Sequence, residues 1–159
     1  MPTLQQSILI AAPIKRVFGF LEEIERVPEW LPRVIEAHRT SETLSGVGAE
    51  LAVVVEAGGR RSSGTSRCVE AETANRLVFQ SSLDIGLTST MTFDLTAQGH
   101  QTQLVATVEY AFAGRGFGRL IGGLFGNALA KKDIEAGLAS LKSQLEAKPA
   151  RRRKAASTP

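Results

Sequence analysis

Histidine and cysteine, two residue types that often perform catalysis or bind metals, are scarce in this 159-residue sequence, which has two histidines and one cysteine. The two histidines lie apart, His38 in a predicted strand and His100 in a predicted hairpin turn. Histidines in such positions are usually solvated surface residues. The sequence has no HExxH, CxxC or GxSxG motif, and no cluster of His, Cys and carboxylates at the spacing of metal ligands. We therefore expect neither a metal site nor a bound cofactor.

Acid–base chemistry on a bound molecule would require an ionisable group within hydrogen-bond reach of it. The candidates in the predicted strands are Tyr110, Arg67, Glu56 and Asp94. Alternation alone does not decide which of them face inward, so the sequence assigns no catalytic residue.

Glycines are concentrated between residues 114 and 126, but their spacing fits neither GxGxxG nor a P-loop. Gly118, Gly122, Gly126 and Ala130 fall four residues apart and would form a stripe of small residues on a helix. We favour close packing of that helix against a strand. The alternative is a weakened helix start that opens to admit a ligand, because each glycine costs about 1 kcal/mol of helix stability relative to alanine.

The spacing of apolar residues predicts one strand, two short helical segments, six strands and a long helix. Pro13 is suited to a helix start, and Pro28 and Pro32 restrict the next segment to a short helix or tight loop. Gly58-Gly59 and Gln98-Gly99 predict tight reversals between strands. The predicted strands are residues 3–10, 34–41, 49–57, 60–71, 75–82, 85–96 and 101–112.

The last helix is predicted from Leu120 to about Ala147, with Ile134, Leu138, Leu141 and Leu145 on one apolar stripe. Consecutive strands with short connections form an antiparallel meander. Only this helix is long enough to cover the apolar face of such a sheet. We therefore predict an α+β fold in which a seven-stranded curved antiparallel sheet wraps around the long C-terminal helix.

The composition indicates one domain and an unusual tail. We expect residues 1–147 to form the domain and residues 148–159 to be a disordered basic tail. The tail carries five positive charges, more than the net charge of +3, so the domain itself is mildly acidic. That balance argues against a specific nucleic-acid-binding face. The tail could still contact anionic lipid transiently.

The cellular location is predicted to be cytoplasmic. Residues 1–10 lack the pattern of a secretory signal, and no apolar stretch reaches the roughly 18 residues of a membrane span. The single cysteine, Cys68, cannot form an internal disulfide, which fits a reducing compartment.

The sequence resembles the START, birch-pollen-allergen-like and polyketide cyclase/dehydrase (SRPBCC) superfamily. The resemblance rests on the opening motif, on the Trp30 region and on the last helix, and it covers about residues 3–147. The matching stretches are Ser7-Ile-Leu-Ile-Ala-Ala-Pro13, Pro28-Glu-Trp30-Leu-Pro32-Arg-Val34, Phe117-Gly-Arg-Leu-Ile and Lys132-Asp-Ile-Glu-Ala-Gly-Leu-Ala-Ser-Leu141. The resemblance implies a helix-grip fold with a hydrophobic cavity between helix and sheet. Members of the superfamily include lipid, sterol, quinone and hormone carriers as well as aromatase/cyclases.

The residues predicted to line this cavity are apolar, with one polar exception. Alternation directs Phe79, Met91, Phe93 and Tyr110 inward, and the first half of the last helix adds Leu120, Leu124 and Phe125. Asn127 lies on the line of the apolar stripe and is either the polar group that orients a ligand or a surface residue. Lys131, on the same line, is expected to extend its charge into solvent. Trp30 is interpreted first as a core residue and second as a ligand contact.

Three functions remain open from the sequence. The first is binding of a hydrophobic small molecule (lipid, isoprenoid or polyketide-like) as a carrier, sensor or sequestering protein. The second is a metal-independent polyketide cyclase or dehydratase using the same cavity, which requires two or more ionisable groups converging inside it. The third is a protein-binding module with a vestigial cavity. The sequence does not determine the oligomeric state.

Overall fold

The computed structural model describes the backbone of residues 3–57, 59–112 and 127–157. Side chains are described for residues 3–56, 59–111 and 131–147. Within these ranges, seven strands form one sheet in which every neighbouring pair is antiparallel. The order across the sheet is β1-β7-β6-β5-β4-β3-β2. The strands are β1 Thr3–Ile10, β2 Val34–Arg39, β3 Glu50–Ala57, β4 Arg60–Glu72, β5 Arg76–Leu83, β6 Leu87–Gln98 and β7 Gln101–Phe112.

Tight glycine turns connect the strands that the sequence predicted to form hairpins. Gly59, between β3 and β4, has φ 78°, and Gly99, between β6 and β7, has φ 65°. This left-handed region favours glycine because it has no Cβ to clash. The turns keep successive strands adjacent, which confirms the predicted meander from β2 to β7, while β1 completes the sheet beside β7.

The concave face of the sheet carries the core. On β6, Phe93 and Leu95 are buried on the same face as Leu87 and Met91, as alternation predicted. Ile85 was expected on this face, but β6 begins only at Leu87. Ile85 therefore lies in the preceding turn, where it is 51% exposed.

Two short helices follow β1. Helix α1 (Ile14–Glu22) begins directly after Pro13, and α2 (Val27–Trp30) has Pro28 in its first turn. A 3₁₀ turn, Ile24–Arg26, joins them. The short second helix, which the sequence offered as one of two alternatives, is therefore confirmed.

The long helix α3 (Asn127–Ser157) packs its apolar stripe onto the sheet. Ile134, Leu138, Leu141 and Leu145 are all buried, as predicted. At the far end of this stripe, the Lys142 ammonium donates to the Leu9 carbonyl at 2.7 Å. The Glu146 carboxylate accepts from the Ala11 N–H at 2.8 Å. The helix is thereby fixed against the end of β1.

Beyond Ala147 the structure differs from the predicted disordered tail, because α3 continues to Ser157. Pro149 removes one backbone hydrogen bond from this part of the helix, but alanine, arginine and lysine are strong helix formers and extending an existing helix avoids the unfavourable nucleation step. The division into a domain of residues 1–147 and a separate tail stays a prediction. No helix in the described ranges has both the length and the apolar character needed to cross a membrane.

Candidate functional site

A cavity of about 190 Å³ lies between the concave face of the sheet and the helical segment 21–31. A cavity needs roughly 10–15 Å³ to hold a single water molecule, so this space holds on the order of ten water-sized groups. Its described lining on the helical side is apolar apart from Glu23. That carboxylate is 58% exposed and pairs with Arg26 at 3.2 Å, which places it at the rim.

Three aromatic rings meet beside the cavity. The Trp30 and Phe93 rings are 5.8 Å apart between centroids, and the Phe79 and Phe93 rings are 6.2 Å apart. Both pairs are edge-to-face, the arrangement that the ring quadrupoles favour. Trp30 is 7% exposed, so it is part of the core and lines the cavity as well.

Aliphatic side chains from several strands complete the apolar wall. Their positions alternate along each strand, so that every second residue faces the cavity. These residues are Val34, Leu51, Val53, Val55, Leu83, Leu87 and Met91.

Three serines interrupt this apolar wall. Ser66, Ser81 and Ser89 lie on β4, β5 and β6 and all line the cavity. Ser81 is directly opposite Ser66 on one side and Ser89 on the other. The Ser81 hydroxyl donates to the Ser66 hydroxyl at 2.9 Å. We did not predict these serines as site residues. The signal that could have found them was their position between inward-facing apolar residues, such as Ser89 between Leu87 and Met91.

Tyr110 extends the same row onto β7, where it is directly opposite Ser89. It is 5% exposed, and burial raises the pKa of its phenol. The phenol is therefore neutral at physiological pH. Tyr110 faces inward as predicted, but the described cavity lining does not include it.

The structure brings together Trp30, Phe79, Met91 and Phe93 from the set predicted to line the cavity. Leu120, Leu124 and Phe125 lie outside the described residues, as do the predicted small residues Gly118, Gly122 and Gly126. Asn127 is the first described residue of α3, and its side chain is outside the description. Lys131 is exposed, as expected.

The other acid–base candidates lie away from the cavity. Glu56 is exposed and forms an ion pair with Arg61 at 3.2 Å. Asp94 pairs with Arg76 at 3.2 Å on the outer face of the sheet. Arg67 is also exposed on that face, opposite Gln80. Of the four candidates, only Tyr110 faces the concave side.

Neither histidine approaches the cavity. The His38 side chain is 75% exposed beside Glu36, and His100 is exposed in the β6–β7 turn. Among the residues whose placement is described, no group of three or more His, Cys, Asp or Glu could hold a metal ion. Cys68 is buried, and its desolvation raises the pKa of the thiol.

Helix α3 positions the helical side of the cavity through contacts with the α2 region. The Gln144 side-chain amide donates to the Glu29 carbonyl at 2.6 Å. Asp133 forms an ion pair with Arg33, although burial still raises the pKa of this carboxyl. Gly137 lies against Leu31, so close that an added Cβ would be 2.9 Å from Leu31 Cδ2.

Solved structures of similar fold cover nearly the whole chain. A protein from Thermus thermophilus superposes with a TM-score of 0.77 at 23% sequence identity, covering 91% of this chain and 97% of its own. The Zhui aromatase/cyclase from Streptomyces sp. R1128 gives 0.75 at 18% identity, covering 92% and 94%. A START superfamily protein from Mycobacterium smegmatis gives 0.74 at 14% identity, covering 91% and 97%. At these identities the similarity shows the helix-grip fold.

The family comparison is more specific than the structural similarity. A search of curated protein sequences finds no match to this chain. The model of the family described as polyketide cyclase/dehydrase and lipid transport matches residues 1–146. The chain therefore belongs to the polyketide cyclase/dehydrase and lipid transport family, within the SRPBCC superfamily that its opening motif and element order predicted.

Proposed function

We propose that this protein binds a hydrophobic small molecule (a lipid, isoprenoid or polyketide-like compound) in the cavity, as a carrier, sensor or sequestering protein. The observation that carries the proposal is a cavity of about 190 Å³ whose described lining is apolar except for three serines and one carboxylate at the rim. We place this function in the cytoplasm, which a single cysteine fits.

An apolar lining favours an apolar occupant for a simple reason. Moving apolar surface out of water contributes about 25 cal/mol per Å². Trp30, Phe79 and Phe93 offer large, rigid ring surfaces, while Met91 adapts its shape because its side chain is unbranched. A protein-binding module would not require this internal space, so binding of a small molecule explains the cavity better than binding of another protein.

Carrier and enzyme differ in the ionisable groups that the cavity must contain. Catalysis by a cyclase or dehydratase would need an acid and a base close to the bound substrate. Within the described lining, Glu23 is the single ionisable side chain, and it is more than half exposed at the rim. The buried Tyr110 lies beyond that lining. The described residues therefore support binding more strongly than catalysis.

Native mass spectrometry of the purified full-length protein tests the proposal directly. We expect a fraction of the protein to carry a bound molecule that organic extraction removes and identifies. The extracted protein should then bind the apolar fluorescent probe N-phenyl-1-naphthylamine. Protein that neither carries a ligand nor binds such a probe would contradict the proposal.

Two tryptophan variants on one strand distinguish the cavity from the surface. Val55 lines the cavity, whereas its neighbour Val54 faces the opposite side of β3. Val55→Trp should fill part of the cavity and weaken probe binding at least tenfold. Val54→Trp should leave probe binding within about twofold of wild type. Equal effects of the two substitutions would show that the probe binds elsewhere.

A further inference from the structure

A row of hydroxyl groups crosses the concave face of the sheet. Ser66, Ser81, Ser89 and Tyr110 occupy directly opposite positions on β4, β5, β6 and β7. Directly opposite residues of antiparallel strands project to the same side of a sheet. Neighbouring strands are about 4.8 Å apart, so a molecule lying along the row meets a hydroxyl roughly every 5 Å.

The serines of this row have unused hydrogen-bonding capacity. Each hydroxyl has one hydrogen and two lone pairs. The contact of 2.9 Å between Ser81 and Ser66 uses only one of their two hydrogens. Ser89 has no hydrogen-bond partner within the described part of the chain, although it lines the cavity. Polar groups in an apolar environment are costly unless they are hydrogen-bonded, so these groups favour a ligand that bonds to them.

The charge around the cavity decides which kind of polar ligand fits. None of the described lining residues is a lysine, arginine or histidine. The ionisable group at the rim, Glu23, is itself acidic. A carboxylate entering the cavity would lose its hydration without gaining a cationic partner. A neutral ketone, alcohol or ester oxygen loses much less hydration free energy, and a hydrogen bond accepted from a serine can offset that smaller loss.

We propose that the serine row selects neutral oxygenated ligands over hydrocarbons and over carboxylates of the same length. This inference rests on the proposed binding function and specifies its ligand class. Ser66, Ser81 and Ser89 are the residues that determine this specificity, while the aromatic and aliphatic side chains provide the affinity that all three ligand classes share.

Three ten-carbon probes test the selectivity in the full-length protein: decane, 2-decanone and decanoate at pH 8. Their dissociation constants are obtained by displacement of N-phenyl-1-naphthylamine. A hydrogen bond from a neutral donor typically changes an equilibrium constant by about fivefold. We expect 2-decanone to bind about fivefold more tightly than decane, and decanoate to bind most weakly.

Serine variants then assign the preference to the row. At least one of Ser66→Ala, Ser81→Ala and Ser89→Ala should reduce the preference for 2-decanone over decane, because one carbonyl oxygen reaches only the nearest hydroxyls of the row; decane affinity should stay within twofold. Ser63→Ala and Ser82→Ala are matched controls, since these serines are exposed on the other face of β4 and β5. The comparison of ligands in wild-type protein holds even where a variant fails to fold.

The outcomes separate the two proposals. Three results would each overturn the serine-row inference while leaving the proposed function intact. In the first, decane binds as tightly as 2-decanone; in the second, decanoate binds most tightly. In the third, the inner and outer serine variants have equal effects. Failure of the fluorescent probe and of all three ligands to bind would overturn the proposed function, and the inference with it.

Discussion

Gly64 allows β4 and β5 to approach each other closely beside the cavity. A Cβ built on this residue would overlap the carbonyl oxygen of Ser82 and lie 2.8 Å from Leu83 Cα. Both are backbone atoms, so a rotamer change cannot relieve the overlap. Leu83 also lines the cavity, which links this strand contact to the shape of the binding site. The close approach of the two strands at this point therefore requires a residue without a side chain.

We predict that Gly64→Ala destabilises the protein by about 1–3 kcal/mol, the usual cost of forcing an extra carbon into a packed region. For a domain of this size, each kcal/mol corresponds to roughly 2–4 °C in Tm. The melting temperature should thus fall by about 2–12 °C in a thermal scan followed by circular dichroism. Probe affinity should fall as well, because the strand bearing Leu83 must move.

Gly19→Ala is the matched control. Gly19 is inside α1, and a Cβ there would have no heavy atom within 4 Å. Alanine should stabilise the helix by up to about 1 kcal/mol and raise Tm by a few degrees. A Gly64→Ala protein as stable as wild type would refute the close strand contact from which this prediction is made.

Two further predictions concern the end of α3. Hydrogen bonds from Lys142 and from the Ala11 N–H lower the pKa of Glu146. The ionised carboxylate therefore stabilises the fold fully at a pH above the ordinary pKa of glutamate, and this stabilisation is lost as the pH falls through the lowered pKa. Glu146→Gln should therefore lower the free energy of unfolding, measured in urea at pH 7, by less than about 1 kcal/mol. In acid, the variant and the wild type should be equally stable. A difference in stability that does not depend on pH would contradict the charge-based reasoning. Removing residues 148–159 should leave Tm within about 2 °C of the wild-type value, because the described contacts of α3 with β1 end at Glu146. A larger fall in Tm would show that the tail stabilises the fold.

The sequence was sufficient to predict the elements and the aromatic residues of the described apolar site, but not most of its aliphatic residues. Turn glycines and proline positions located the hairpins and the short helices. Strict alternation placed Phe79, Met91 and Phe93 on the inner face, because a strand with one buried face repeats every two residues. The helical stripe from Ile134 to Leu145 was equally clear, since each member must face the sheet.

The orientation of Arg67 could not be predicted in the same way, because its strand, β4, is irregular. In β4 the register shifts between Cys68 and Glu70, so Cys68 is opposite Phe79 and Ala71 is opposite Leu77. Even-numbered residues face inward before this bulge and odd-numbered residues after it. A single extra residue thus reverses the alternation, and the sequence contains no marker for it.

The serine row was missed for a different reason. Each serine alone is an ordinary small polar residue in a strand, and its importance appears only when the register aligns Ser66, Ser81 and Ser89 across three strands. Pairing between strands depends on the whole meander and cannot be read from any one of them. Asking which polar residues occupy inward positions would have identified Ser81 and Ser89 as exceptions.

The two sides of the cavity are positioned by separate sets of interactions. On the helical side, Trp30 and Leu31 are fixed by contacts with α3, notably with Gly137. On the sheet side, the pairing register of the strands fixes the positions of the serines independently of α2 and α3. Affinity for apolar molecules therefore comes from side chains on both sides of the cavity, whereas selectivity for their oxygen atoms is assigned to the sheet alone. Substitutions at the serines should consequently change which ligand is preferred without changing how much apolar surface the protein can cover.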